Sequence, residues 1–278
     1  MLFLHGLAGS ARNWRGAMRA LRPSHRAIAF DARGHARSEA PSDPGAYGLE
    51  VALGDALGVL AEHAGAGVPA QHAGAGVPAQ HAGAGVPAIW VCLSMGAVVA
   101  LEAALRRPAA VRGLLLASYP GGRDPSAIAA AAERFADAIE GEGLEVAGAQ
   151  FAWGPGSGLD EGGARLVRQG FLEHPAHALA HTLRRLLGPR RPPAALRREL
   201  RALRLPVAVV AGERDPASLP VSRELAAGIP GATLDIVPGA GHVVNLAARD
   251  AFDAALRDLL ARIEHTPAPA RPHGEGPG

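Results

Sequence analysis

The sequence contains no lysine, so all 28 of its basic residues are arginine, and it contains a single cysteine, Cys92. One cysteine excludes a disulfide bond within the chain. Phenylalanine, tryptophan and tyrosine together make up only 4% of the 278 residues. With so few aromatic side chains, we expect a core built mainly from alanine, leucine and valine.

Long runs of one kind of residue are also missing. No apolar stretch reaches the roughly 18 residues that cross a membrane, so we expect no membrane partner. The net charge is only +2 and the arginines form no long basic run, which argues against a nucleic-acid partner. The length suits one domain with a sub-domain, and the cytoplasm is the expected location. The oligomeric state is left open.

The most informative stretch is 89–107, IWVCLSMGAVVALEAALRR. Its first five residues are apolar and predict a buried strand, and the residues after Met95 have the spacing of a helix that must end before Pro108. Ser94 therefore lies on a tight turn beside a helix N-terminus, whose free N–H groups can stabilise an anion. This pattern is typical of a nucleophile elbow, usually G-x-S-x-G, in which Cys92 replaces the first glycine.

Two partners for Ser94 follow later in the chain. The apolar run 205–211 predicts another buried strand, and Asp215 follows its carboxyl end, where α/β sheets place functional groups. A further strand is predicted at 232–237, and the turn Gly239-Ala-Gly-His242 comes directly after it. The order serine, aspartate, histidine is that of one type of catalytic triad. We predict Ser94, Asp215 and His242 as the catalytic residues.

With these residues in view, the chain resembles the α/β-hydrolase superfamily, in its branch of small-molecule ester and lactone hydrolases, from Met1 to about Ile263. The resemblance also implies an α/β fold with a mostly parallel, doubly wound sheet and a helical cap. It implies neither a cofactor nor a metal. The wording L-S-M-G at the elbow is similar to that of 3-oxoadipate enol-lactonases. Five motifs in family order carry the resemblance: His5-Gly6-Leu7, Asp31–Ser38, the Ser94 elbow, Gly212–Asp215 and Gly239–His242.

The resemblance also suggests a division of the chain. We expect an α/β-hydrolase core at 1–122 and 205–264, a helical cap at 123–204 and a disordered tail at 265–278. Members of the family usually have two strands before the HG motif, and this chain starts directly at the motif, as if it lacked those first two strands. The strand expected at Arg26–Phe30 would then form an exposed edge of the sheet.

Other site residues are assigned by the same resemblance. The backbone N–H groups of Leu7 and Met95 are the expected oxyanion donors. Phe151, Trp153 and Phe171, in the expected cap, are candidates to line the substrate pocket together with Leu7 and Met95. A second acidic candidate for the triad, Asp31, is interpreted as a structural residue of its loop, because Asp215 has the better chain position.

A nonapeptide repeat precedes the elbow strand. HAGAGVPAQ occurs at 63–71 and 72–80, and HAGAGVPAI follows at 81–89. We interpret 63–89 as an expansion within one loop, disordered because glycine, proline and alanine dominate it. Histidines 63, 72 and 81 are expected to be solvated rather than bound to metal. Histidines 174, 177 and 181 are interpreted as a polar helix face, because no carboxylate or cysteine completes a metal site there.

The sequence thus predicts a serine hydrolase that cleaves a small carboxylic ester or lactone through an acyl-enzyme, with a small molecule as its partner. Two alternatives remain open. A cofactor-free haloperoxidase or perhydrolase would use the same triad, and a non-catalytic protein that carries the triad, or a truncated gene product, would use none of it. Cys92 is interpreted as a small buried residue, because strand alternation from Ser94 places it inside the strand.

Overall fold

The structure is a computed structural model that describes residues 1–63, 87–154 and 157–265. Strands in these ranges form a single sheet in the order β2-β1-β3-β4-β5-β6, and every neighbouring pair is parallel. This is the α/β architecture expected from the sequence. The strands are β1 (Leu2–Leu4), β2 (Ile28–Ala29), β3 (Ala88–Leu93), β4 (Val111–Ala117), β5 (Val207–Gly212) and β6 (Thr233–Val237).

The central strands are mostly apolar, with the exposed Arg112 of β4 as an exception, because helices cover both faces of the sheet. Trp90 and Cys92 of β3 belong to one hydrophobic cluster, whereas Val91 and Leu93 belong to the cluster on the opposite face. Strand alternation produces this division. The first cluster includes residues from α2, α3 and α9, and the second includes residues from α1, α10 and α11. The bounds of these helices are α1 (Arg15–Leu21), α2 (Leu49–His63), α3 (Met95–Arg106), α9 (Ser218–Gly228), α10 (Val244–Ala247) and α11 (Arg249–Glu264).

Five helices lie between β4 and β5 in the chain, in the region expected to form the cap. Asp124 caps the first of them by accepting a hydrogen bond from the N–H of Ser126, and Asp160 caps the third through the N–H of Gly163. Arg191, which follows a short π-helix at Leu183–Leu187, makes a paired contact with the buried carboxylate of Glu102 in α3. The five helices are α4 (Pro125–Glu142), α5 (Leu144–Phe151), α6 (Glu161–Leu172), α7 (Ala176–Thr182) and α8 (Arg197–Ala202).

The edges of the sheet are formed by β2 and β6 within the described residues. The expectation of an edge strand near 26–30 is therefore confirmed, although β2 is only two residues long. Most of the 63–89 repeat and all of the tail after 265 lie outside the described residues, as do Pro155 and Gly156. In the described part of the chain, no helix is both long and apolar enough to cross a membrane.

Candidate active site

Ser94 lies between the end of β3 and the start of α3, as the sequence predicts. Its backbone has φ 52° and ψ −112°, a conformation that residues with a side chain rarely adopt. The N–H of Ser94 donates to the carbonyl of Ala117 in β4, and its own carbonyl accepts from Ala97 and Val98 in α3. These contacts hold the strained turn in place, as is common at functional sites.

Cys92, which replaces the first glycine of the elbow motif, is fully buried in β3. Its side chain belongs to the core cluster on the α3 side of the sheet. Burial raises the pKa of the thiol well above its ordinary value, which disfavours the thiolate that a nucleophile requires. Cys92 is thus a packed core residue, in agreement with the sequence interpretation.

His242 joins Ser94 to Asp215. Its Nε2 lies 2.9 Å from the Oγ of Ser94, and its Nδ1 lies 2.7 Å from Oδ2 of Asp215. Asp215 follows β5, His242 follows β6 and Ser94 follows β3, so three separate strand ends bring the residues together. All of these ends lie at the carboxyl edge of one parallel sheet. Asp31, the other acidic candidate, makes no hydrogen bond to His242 among the described residues.

The Asp215 carboxylate is held in its ionised form although it is only 2% exposed. Burial by itself would raise its pKa, but hydrogen bonds from His242 and from Ser218 outweigh burial and lower the pKa below its ordinary value. A neighbouring negative charge can stabilise a positive imidazolium on His242 during a reaction.

Sequence reasoning missed Ser218. It is the first residue of α9 and is fully buried, with its N–H 3.0 Å from Oδ1 of Asp215. Its Oγ lies 3.3 Å from Nδ1 of His242. The available signal was an aspartate placed three residues before a serine at the start of an apolar helix, which is a capping pattern.

The candidate oxyanion donors lie on either side of Ser94. Met95 begins α3, so its N–H has no partner within the helix. Leu7 follows Gly6, and a Cβ placed on Gly6 would lie 3.2 Å from the Cβ of Ser94. A side chain at position 6 would therefore force Ser94 to shift by a few tenths of an ångström, and glycine avoids this. Among the described residues, neither N–H donates to another backbone carbonyl.

Asp31 has a different environment from Asp215. Its Oδ1 accepts a hydrogen bond from the N–H of Ala11 at 2.8 Å, and its backbone carbonyl accepts one from the hydroxyl of Ser38. Asp31 thereby ties the loop after β1 to the loop after β2. This is the structural role that the sequence suggested for it.

The three aromatic residues predicted to line the pocket lie together, with Phe151 at the end of α5, Trp153 in the turn that follows it and Phe171 in α6. The Phe171 ring is buried and packs against the rings of Trp153 and Phe135. Phe151 stacks on Phe135 and is 36% exposed. Sequence reasoning missed Phe135, which lies in α4 at the centre of this cluster. The role of these residues toward a substrate stays a prediction.

A cavity of about 50 Å³ lies beside α3, the helix that follows Ser94. Met95, Gly96 and Val99 of α3 form one wall, and none of the three predicted aromatics is among its described lining residues. Most of the lining is apolar, but it also includes the buried ring of His35 and the ion pair between Arg33 and Asp55. The lining also includes His5, Phe30, Tyr47, Val51 and Leu186.

Histidines 174, 177 and 181 each have a ring nitrogen close to a backbone carbonyl oxygen. Nε2 of His177 is 3.1 Å from the carbonyl of Ala40, and Nε2 of His181 is 3.2 Å from that of Ser42. His174 contacts the carbonyl of Gly9, in the loop that carries Leu7, at 3.1 Å. No group of three or more potential ligand side chains is present among the described residues.

Comparison with protein families agrees with this geometry. A model described as the alpha/beta hydrolase family matches residues 1–255, most of the chain. The chain belongs to the alpha/beta hydrolase family. This membership, which the resemblance of the motifs had suggested, places the protein among hydrolases and confirms the fold class.

Solved structures are similar in fold over nearly the whole chain. MenH from S. aureus is 19% identical with a TM-score of 0.76, covering 95% of this chain and 93% of that one. A thermophilic esterase from Thermogutta terrifontis is 22% identical with a TM-score of 0.75, at 94% and 89% coverage. The enol-lactonase from Burkholderia xenovorans LB400 is 22% identical with a TM-score of 0.72, at 94% and 90% coverage. No curated protein matches the sequence.

Proposed function

We propose that the protein is a serine hydrolase that cleaves a small carboxylic ester or lactone. The observation that carries the proposal is the continuous contact from the Oγ of Ser94 through both ring nitrogens of His242 to the carboxylate of Asp215. An activated nucleophile requires a base within hydrogen-bond reach and a third group that orients the base. These three side chains meet both requirements.

In the first half of the reaction, Ser94 attacks the carbonyl carbon of the substrate. His242 Nε2, 2.9 Å away, takes the hydroxyl proton as the new C–O bond forms. The negative charge that develops on the carbonyl oxygen is stabilised by the N–H groups of Leu7 and Met95. Donors fixed in this way are worth about 10²-fold to 10³-fold in rate each.

The acyl-enzyme then forms and is broken down. His242 returns its proton to the leaving alkoxide, the ester C–O bond breaks, and the alcohol departs from the acylated Ser94. Water then attacks the acyl carbon while His242 takes a proton from it, which releases the acid and restores the serine hydroxyl. Asp215 keeps the imidazole in the tautomer with a proton on Nδ1 and stabilises its positive charge throughout.

An aromatic region near the elbow supports a small apolar substrate. Phe151, Trp153 and Phe171 offer an aromatic surface on the cap, and His174 ties α6 of that cap to the loop that carries Leu7. The substrate would lie between this surface and the elbow, because the cap lies over the carboxyl ends of the strands in related folds. The triad itself needs neither a metal nor an organic cofactor for this chemistry.

The test is hydrolysis of p-nitrophenyl esters from acetate to decanoate by the wild type, by Ser94→Ala and by Ser222→Ala. Ser222 is a suitable control because its hydroxyl is buried and, among the described residues, has no hydrogen-bond partner. We expect turnover that is lost in Ser94→Ala and kept in Ser222→Ala, with a chain-length optimum that reports the pocket size. A folded wild type without Ser94-dependent turnover on esters or lactones contradicts the proposal.

A further inference from the structure

Ser218 is a buried polar residue that the proposed reaction does not use directly. It begins α9, three residues after Asp215, and none of its surface is exposed. A buried hydroxyl without a partner is unfavourable, so a serine kept at such a position has to be explained by what it contacts.

The contacts of Ser218 all lie around the Asp215–His242 pair. The N–H of Ser218 donates to Oδ1 of Asp215 at 3.0 Å, while Nδ1 of His242 donates to Oδ2 at 2.7 Å. The Oγ of Ser218 lies 3.3 Å from that same Nδ1. Because Nδ1 of His242 donates its proton to Asp215, this nitrogen cannot also accept the serine hydroxyl proton. The neighbouring Asp215 carboxylate, whose pKa is lowered in part by a hydrogen bond from the Ser218 side chain, is the acceptor that remains.

We propose that Ser218 is a positioning residue that donates its hydroxyl proton to the Asp215 carboxylate and thereby sets the basicity of His242. This inference rests on the proposed function, since it gives Ser218 a role in the same triad. The carboxylate then receives donors from one imidazole, one backbone N–H and one hydroxyl, which fix its orientation toward the imidazole.

The hydroxyl has a predictable effect on the proton affinity of His242. A hydrogen bond to the carboxylate draws off part of its negative charge, so Asp215 stabilises the imidazolium less strongly than a carboxylate without that bond. Removal of the hydroxyl leaves more charge on Asp215. The pKa of His242 therefore rises in Ser218→Ala, and the protonated, inactive form of the base persists to higher pH.

Three other charged side chains of the described residues lie near the Asp215–His242 pair, but we expect them to have little effect on the proton affinity of His242. Glu213, Arg214 and Asp160 lie on the neighbouring segments and are all exposed. Glu213 and Asp160 accept hydrogen bonds from backbone N–H groups close to them. Solvent screens these three charges, whereas Asp215 is buried directly against the imidazole.

The helix α9 supplies a matched control for the test. Ser222 lies one turn after Ser218 and is equally buried, and its hydroxyl has no hydrogen-bond partner in the part of the chain that the structure describes. Ser218→Ala and Ser222→Ala therefore remove the same atom from the same helix. Only the first removes a hydroxyl that lies 3.3 Å from Nδ1 of His242, beside the Asp215 carboxylate, so a difference between the two variants separates positioning from helix packing.

The experiment is an NMR titration of the His242 ring in the wild type, Ser218→Ala and Ser222→Ala, with the resonance assigned by its loss in His242→Gln. We expect the pKa to rise by about one unit in Ser218→Ala, the scale of one charge-assisted hydrogen bond, and to be unchanged in Ser222→Ala. In Ser218→Ala, the acid limb of the pH profile of kcat/KM should move to higher pH by the same amount. Ser218→Thr, which restores a hydroxyl, should return the limb toward the wild-type position.

An unchanged or lowered pKa of His242 in a folded Ser218→Ala variant overturns the inference. So does an equal shift in Ser222→Ala. The titration needs no substrate, so it reports on Ser218 even if no ester is turned over. Absence of Ser94-dependent turnover with the expected titration result would contradict the proposed function alone.

Discussion

Gly96, the first residue after Met95 in the elbow helix, lies against Leu4 of β1. A Cβ placed on Gly96 would be 2.5 Å from the carbonyl oxygen of Leu4 and 2.7 Å from its Cβ. Because the contact is mainly with backbone, the neighbouring strand cannot move aside without disturbing its pairing with β2 and β3. The second glycine of the elbow motif is therefore required by the close approach of helix and strand.

The first prediction follows from this contact. Gly96→Ala should lower the free energy of unfolding by about 1–3 kcal/mol, because it forces an extra methyl group into a packed interface. Gly54→Ala is the control, since Gly54 lies in α2 with nothing within 4 Å of an added Cβ. That change should raise stability by about 0.5–1 kcal/mol. Urea denaturation measures the free energy of unfolding of both variants. Equal changes in the two would contradict the close packing of Gly96 against Leu4.

Cys92 provides a prediction about reactivity. Since the thiol is fully buried and its pKa is raised, it should not react with an aromatic disulfide reagent at pH 8 in the native protein. In urea, one equivalent of thiol should react at the rate of an unfolded chain. Comparable rates in the two conditions would show that the thiol is accessible, and the reading of Cys92 as a core residue would be wrong.

His5 makes stability depend on pH. Burial lowers its pKa from the ordinary 6.5 to about 4, aided by the charge of His174, while hydrogen bonding to Gly6 and the charge of Asp31 oppose the change. Between pH 6.5 and 4 the unfolded chain binds a proton that the folded chain does not, so stability falls as the pH falls through this window. The loss attributable to His5 is about 3 kcal/mol.

The test compares unfolding free energies at several pH values for the wild type, His5→Gln and His265→Gln. His5→Gln removes the titrating group, so its stability should fall less steeply from pH 6.5 to 4. His265 is exposed at the end of α11, and its replacement should leave the slope unchanged. Buried His35, whose pKa is also lowered, contributes to the slope in all three proteins. Equal slopes would contradict the prediction.

Matched substitutions distinguish the roles of Asp215 and Asp31, the two acidic candidates for the triad. Asp215→Asn should reduce kcat by about 10³-fold to 10⁴-fold, because an amide cannot hold the imidazole in the correct tautomer or stabilise its charge. Asp31→Asn should keep kcat within a few fold and lower only the melting temperature, since Asp31 joins two loops. Steady-state kinetics and a thermal melt of both variants measure kcat and the melting temperature, and thereby test the two assignments. A larger kcat loss in Asp31→Asn would reverse the assignment.

Local patterns account for the parts of the fold that the sequence predicts well. The apolar spacing of 49–63 predicts a helix, and α2 has those bounds. The strand at 205–211 is observed at Val207–Gly212, shifted because Pro206 has no N–H to donate to a neighbouring strand. Because Ser94, Asp215 and His242 each follow the carboxyl end of a predicted strand, the sequence predicts that all three lie along the same edge of a parallel sheet.

Other features depend on contacts between distant segments. Phe135 joins the predicted aromatics only because the fold brings its ring, in α4, to 5.7 Å from the ring of Phe171 in α6, and nothing in its local sequence distinguishes it. The contact of Ser218 with His242 depends on where α9 begins relative to the loop after β6. Close approaches such as that of Gly158, where a Cβ would lie 1.6 Å from the carbonyl of Arg214, also emerge only in three dimensions.

The most direct test of the account is covalent labelling of the nucleophile with a fluorophosphonate, which reacts with activated serines. Mass spectrometry of the intact chain and of its peptides would count the adducts and locate them. We predict one adduct, on Ser94, that is absent in Ser94→Ala and forms at least about 10³-fold more slowly in His242→Gln. An adduct on another serine, or equally fast labelling of His242→Gln, would contradict the claim that His242 activates Ser94.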